Sequence, residues 1–159
     1  MPIKIEHRIG VRAPASAIWP MIMDVPGWAH WNPLYPKAEG VIAFESRLTL
    51  EVAIPGEPPR TIQPVVVDWT PEEQIIWKVR MMGGFLRTTR YIEIETLTDG
   101  GMGVIFSNGE IFEGAATRLL DRRRRARIKA GFTAFGEAVR DRAEAEWRRS
   151  GGATTLSPA

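Results

Sequence analysis

The chain has 159 residues, of which 44% are hydrophobic and 25% charged, the composition of one globular domain rather than a disordered chain. It contains no cysteine and two histidines, His7 and His30, which excludes disulfides, thiolate metal sites, cysteine nucleophiles and a three-histidine metal centre. The net charge of +2 is unevenly spread: residues 115–149 hold eleven Arg/Lys and five Asp/Glu, and the rest hold ten and fourteen.

In chain order, Ile3, Ile5, His7, Ile9 and Val11 alternate with Lys4, Glu6, Arg8 and Gly10, the period-two pattern of a half-buried strand. Ala15–Asp24 places Ile18, Trp19, Ile22 and Met23 at helical spacing, with Pro20 predicting a kink or a late start. Val25-Pro26-Gly27 breaks this helix. Trp28-Ala29-His30-Trp31 forms one more turn before Asn32-Pro33. Strand-like segments follow at 38–44, 48–54, 61–69, 75–81 and 86–95, with a last alternating set at Val104, Phe106, Asn108, Glu110 and Phe112. From Ala115 the period becomes 3.6. Leu120, Ile128, Phe132, Phe135, Val139, Ala143 and Trp147 then mark one apolar stripe of a helix reaching Arg148. Residues 1–149 are read as the folded domain and 150–159, small and polar, as a disordered tail.

The predicted architecture is α+β: a curved antiparallel sheet of about six or seven strands wrapped around a long C-terminal helix, with two short helices after the first strand. Strands in series form a meander, because parallel pairing would need crossover helices that the sequence lacks. A twisted meander curls, and the final helix lies in its concave face. Such a grip leaves space lined mainly by apolar groups.

Here the sequence resembles the START/Bet v 1-like superfamily (SRPBCC) of polyketide cyclase/dehydrase-type helix-grip proteins. The residues carrying the resemblance are Ala13-Pro14 with Ile18-Trp19, the turn Trp28-Ala29-His30-Trp31-Asn32-Pro33, the strand end Glu110-Ile111-Phe112-Glu113-Gly114, and Gly131-Phe132 through Ala138-Val139 to Glu144. The likeness covers about residues 3–148. It implies the helix-grip fold and a hydrophobic cavity. The family includes lipid carriers, hormone receptors and cyclases.

Strand alternation directs four polar side chains to the apolar face: His7, Arg90, Asn108 and Glu110. If Asp99-Gly100-Gly101 is a three-residue hairpin loop, Arg90 lies opposite Glu110 and a salt bridge is in reach. A two-residue loop would put the two on opposite faces. A bulge at Asn108-Gly109 would turn Glu110 outward. The pair reads either as structural or as orienting the polar end of an apolar ligand. In an enzyme, Arg90 would stabilise an enolate while Glu110 or His7 moves a proton. The expected ligand contacts are Trp28, Trp31, Trp77, Met81, Phe85, Arg90, Phe106, Asn108, Glu110, Phe112, Ile128 and Phe132. Asn32 reads as a turn cap, Met81–Phe85 and Pro55–Pro59 as lips of the mouth.

The function expected is therefore binding or transport of a hydrophobic small molecule (lipid, aromatic or polyketide-like). The alternative is a polyketide cyclase/dehydratase using Arg90, Glu110 and His7. No cofactor and no metal is expected. The arginine-rich stretch 118–129 reads as a solvated helix face, and nucleic acid is disfavoured because aromatic interleaving is missing. A homodimer or an unidentified protein partner stays open. No apolar run reaches transmembrane length and no signal core opens the chain, so a cytoplasmic location is the default.

Overall fold

The computed structural model describes residues 1–97 and 103–151. The first alternating segment forms β1 (Ile3–Val11), and the helix α1 (Ala15–Met23) follows it with Pro20 inside rather than at its start. The Trp28 segment is a 3-10 turn, Pro26–His30. Then come β2 (Lys37–Glu39), β3 (Thr49–Val52), β4 (Arg60–Ile62), β5 (Val65–Thr70), β6 (Gln74–Met81), β7 (Leu86–Thr96) and β8 (Val104–Glu113). The long helix is α2 (Arg122–Arg149).

Five strands make one antiparallel sheet in the order β1-β8-β7-β6-β5. A smaller sheet runs β2-β3-β4. The segment expected as one strand over 61–69 is divided between the two sheets, because Pro64 has no N–H to offer a ladder. The sheets stay joined through Leu48 N to Pro64 O at 2.9 Å and Val66 N to Ser46 O at 2.8 Å. The result is a helix-grip fold, with the predicted single sheet split in two.

The terminal helix begins later than its apolar period suggested. Residues Ala115–Leu119 form a separate 3-10 turn, and Asp121 starts α2 by accepting from the Arg124 N–H at 2.8 Å. Such a side-chain cap satisfies one of the donors a helix start leaves free. With 28 residues, α2 is about 42 Å long at ~1.5 Å per residue. It buries Ile128, Phe132, Phe135, Val139 and Ala143 against the sheets. Gly136 permits close contact with β1, since a Cβ there would stand 2.7 Å from His7 Nδ1.

β7 and β8 pair from Arg87↔Glu113 to Thr96↔Val104 without a bulge, so Asn108-Gly109 does not interrupt the strand. This is the register a three-residue loop requires. The Asp99-Gly100-Gly101 loop itself, and the tail beyond residue 151, lie outside the described residues. Among the described residues no helix is long and apolar enough to cross a membrane.

Candidate functional site

The site is built on the inner face of β7 and β8. Their register sets Arg90 opposite Glu110, and Asn108 and Phe112 flank Glu110 on the same face. The expected salt bridge is not formed: among the described residues no carboxylate lies within 4.0 Å of the Arg90 guanidinium. The guanidinium instead turns along the sheet. Its Nε donates to the Tyr35 hydroxyl at 2.9 Å, Nη1 to the carbonyls of Tyr91 and Gly109 at 3.1 Å each, and Nη2 to Asn108 Oδ1 at 2.9 Å. Asn108 Nδ2 in turn donates to the Phe132 carbonyl of α2 at 3.1 Å. The Phe132 ring covers the guanidinium carbon at 4.3 Å, with Phe135, Trp77 and Tyr35 farther out. Arg90 is 1% exposed, and this cage of acceptors and rings offsets the cost of burying its charge.

Tyr35 is brought to Arg90 by the turn before β2. Asn32 Oδ1 accepts from the N–H groups of Leu34 at 3.0 Å and Tyr35 at 3.2 Å, the capping role its position suggested. Trp28 stacks on Tyr35 with ring centroids 5.5 Å apart, and Trp28 Nε1 donates to the Ile22 carbonyl at 3.1 Å. Trp31 packs on Phe135 at 6.0 Å, and Phe106 meets the same ring edge-on at 5.8 Å. These rings occupy much of the hollow expected between sheet and helix.

What remains is a cavity of about 20 Å³, room for roughly one water molecule. Its walls are Trp77 and Met81 of β6, Glu110 and Phe112 of β8, and Ile128 and Phe132 of α2. Leu34, Tyr35, Val52, Ile54, Arg60 and Ile62 close it from the side of the small sheet. Burial pushes the Glu110 carboxyl above the ordinary carboxylate range, while Arg90, the Thr88 hydroxyl and Arg60 pull it the other way. Burial likewise raises the Tyr35 phenol, opposed by Arg90.

Of the expected contacts, Trp77, Met81, Glu110, Phe112, Ile128 and Phe132 therefore line the cavity. Trp28, Trp31 and Phe106 are packing anchors behind it, and Arg90 and Asn108 form the polar network beside it. Phe85 is 65% exposed and lies outside. His7 faces Gly136 of α2 rather than the cavity. Its Nδ1 is buried without a hydrogen bond, and burial lowers its pKa against an opposing pull from Glu137.

The Pro55–Pro59 loop is pinned to α2 by charge. Its Glu57 is gripped by Arg124 at 3.4 Å and Arg127 at 3.3 Å, which engages two of the arginines read as solvated. Sequence reasoning missed Tyr35 and Arg60. Neither belongs to an alternating strand pattern, and Tyr35 comes after the Asn32-Pro33 stop.

Residues 2–148 match the family described as polyketide cyclase / dehydrase and lipid transport. The chain belongs to that family. Solved structures agree on the fold. A Zhui aromatase/cyclase from a Streptomyces species superposes with a TM-score of 0.72 at 21% identity, over 96% of this chain and 99% of that one. A START superfamily protein from Mycobacterium smegmatis gives 0.67 at 16%, over 90% and 98%. A norcoclaurine synthase from Thalictrum gives 0.65 at 13%, over 92% and 96%. No curated protein sequence matches the chain. For this member of the family the likenesses establish the fold, and its chemistry rests on its own residues.

Proposed function

We propose that this protein binds an apolar small molecule with one polar end, seated between α2 and the β3–β4 hairpin with its polar group on Glu110. One observation carries the reading: the part-buried Glu110 carboxyl lines a small cavity walled mainly by apolar side chains and has no ion-pair partner among the described residues. A carboxyl serving structure alone would be expected to close on Arg90, its direct neighbour across the ladder. Here Arg90 is satisfied elsewhere and the carboxyl is left for a guest. Ring-containing and long-chain molecules both suit walls made of Trp77, Phe112, Phe132 and Ile128. The aromatase/cyclase and START likenesses support that ligand class.

Entry requires movement, because the closed cavity holds about one water. The β3–β4 hairpin is the element to move. Its loop is tied to α2 by Glu57, and Ile54 and Pro55 touch the position a Gly131 Cβ would occupy.

A second reading, a cyclase/dehydratase-type enzyme, is favoured by the paired acids. Tyr35 accepts from Arg90, so its own proton is free to point into the cavity beside the protonation-prone Glu110. In a dehydration, Glu110 gives its proton to a leaving hydroxyl, which departs as water. The resulting carboxylate takes the proton from the adjacent carbon. Arg90 then positions Tyr35, and His7 has no part.

Fluorescence titration tests the binding reading with hydroxynaphthalene and naphthalene as probes. The expected result is saturable binding of both, with Glu110→Ala weakening the hydroxylated probe about tenfold and leaving the other unchanged. No binding of either probe, or equal weakening of both, contradicts it. Turnover of a β-hydroxyketone to its enone, lost in Glu110→Gln, would favour the enzyme.

A further inference from the structure

Two tight turns meet at one end of the large sheet. Met82–Gly84 joins β6 to β7, and Ala115–Leu119 joins β8 to α2. Ala116 N donates to the Phe85 carbonyl at 2.9 Å, which fixes the turns side by side. Both turn large apolar side chains to solvent: Met82 is 55% exposed, Phe85 65% and Leu119 55%. Met82 also adopts a left-handed backbone, φ 54°, ahead of Gly83 at 66° and Gly84 at 96°. That conformation is unfavourable for a residue with a side chain. Here the strained residue is an exposed apolar one.

The surroundings are basic. Arg80 and Arg87 lie directly opposite each other across the β6–β7 ladder, an arrangement that repels. Arg118, Arg122 and Arg123 follow on the second turn and the start of α2, all exposed. Among the described residues none of these five arginines has a carboxylate within 4.0 Å. The acids on the same segments are Asp121, engaged as the helix cap, and Glu113, which lies opposite Arg87 across the β7–β8 ladder but not within 4.0 Å of its guanidinium.

We propose that this end of the molecule adsorbs reversibly to an anionic lipid surface. Met82, Phe85 and Leu119 enter the headgroup region and the arginines hold the lipid charges. Three large apolar side chains on two turns fall well short of the roughly 20–30 residues a side that a stable protein interface takes. A bilayer interface accepts such isolated apolar groups, and a basic collar adds attraction to anionic lipid. Met81, next to Met82, lines the cavity, so the adsorbing end is continuous in the chain with one cavity wall. The inference does not need a bound ligand and stands apart from the ligand reading.

The test is co-sedimentation of the full chain with vesicles of phosphatidylcholine alone or with one third phosphatidylserine. Binding is expected on the phosphatidylserine vesicles at low salt, with release as salt rises. Phe85→Ser combined with Met82→Ser weakens it about tenfold at fixed salt. Both positions are exposed, and an unchanged thermal melt shows that the variant is folded. Absence of binding at low salt, or equal binding by the double variant, overturns the proposal. So does binding to heparin or to an acidic protein without binding to vesicles, which would assign the patch to a soluble polyanion.

Discussion

Arg90 and Glu110 sit opposite each other on neighbouring strands, yet their surroundings differ completely. Arg90 makes four hydrogen bonds and lies beneath the Phe132 ring. Glu110 has no ion pair among the described residues and borders the residual cavity. The difference teaches that adjacency in a ladder does not decide pairing. A guanidinium has five donors in a planar fork, and the Tyr35, Asn108 and carbonyl acceptors fit that fork better than one carboxylate does. Arg90 belongs to the frame, whereas Glu110 remains available.

Removing the cation is expected to have the largest effect. Arg90→Leu leaves the Tyr35 hydroxyl, Asn108 and two carbonyls without their donor, and should cost about 3–5 kcal/mol in urea unfolding. Tyr35→Phe removes one acceptor and should cost about 1–3 kcal/mol in the same assay. A loss below that of an ordinary surface substitution in either variant would dissolve the contrast.

Glu110→Gln should act with the opposite sign. Its folded carboxyl is raised by burial, so the stabilisation it gives is full below the unfolded-state pKa and is lost as pH rises through the folded one. The amide escapes that loss. The variant should match the parent under acidic conditions and be the more stable of the two at alkaline pH. A variant less stable than the parent at alkaline pH would mean that Glu110 is paired after all.

The smallest stability change is expected at the lip. Glu57→Ala frees Arg124 and Arg127 and should cost under about 1 kcal/mol. It should nevertheless speed stopped-flow uptake of a naphthalene probe several-fold. An unchanged rate would place the entrance elsewhere.

Much of this was legible in the sequence. Period-two alternation located β1, β6, β7 and β8 of the large sheet, and the apolar stripe located α2. The sequence left two β7–β8 registers open, one for each loop length, and the structure adopts the one that sets Arg90 against Glu110. The failures have physical causes. Pro64 splits a run that is continuous in hydropathy. Asp121 begins a helix that the apolar period appeared to start earlier. The direction of the Arg90 head group depends on Tyr35, which is 55 residues away in the chain and carries no local signal. His7 obeys the strand alternation, but β1 at the edge of the sheet lies beneath α2, so its inward face meets Gly136 instead of the cavity. Cavity size depends on how several rings stack, and pairwise sequence spacing does not encode that.

The central claim is that the space beside Glu110 opens to receive an apolar guest. A crystal of the protein grown with bromonaphthol tests it most directly. The account predicts anomalous bromine signal between Trp77, Phe132 and Ile62, the hydroxyl on Glu110, and the β3–β4 hairpin displaced from α2. Signal confined to the outer surface, with the interior closed as before, would contradict it.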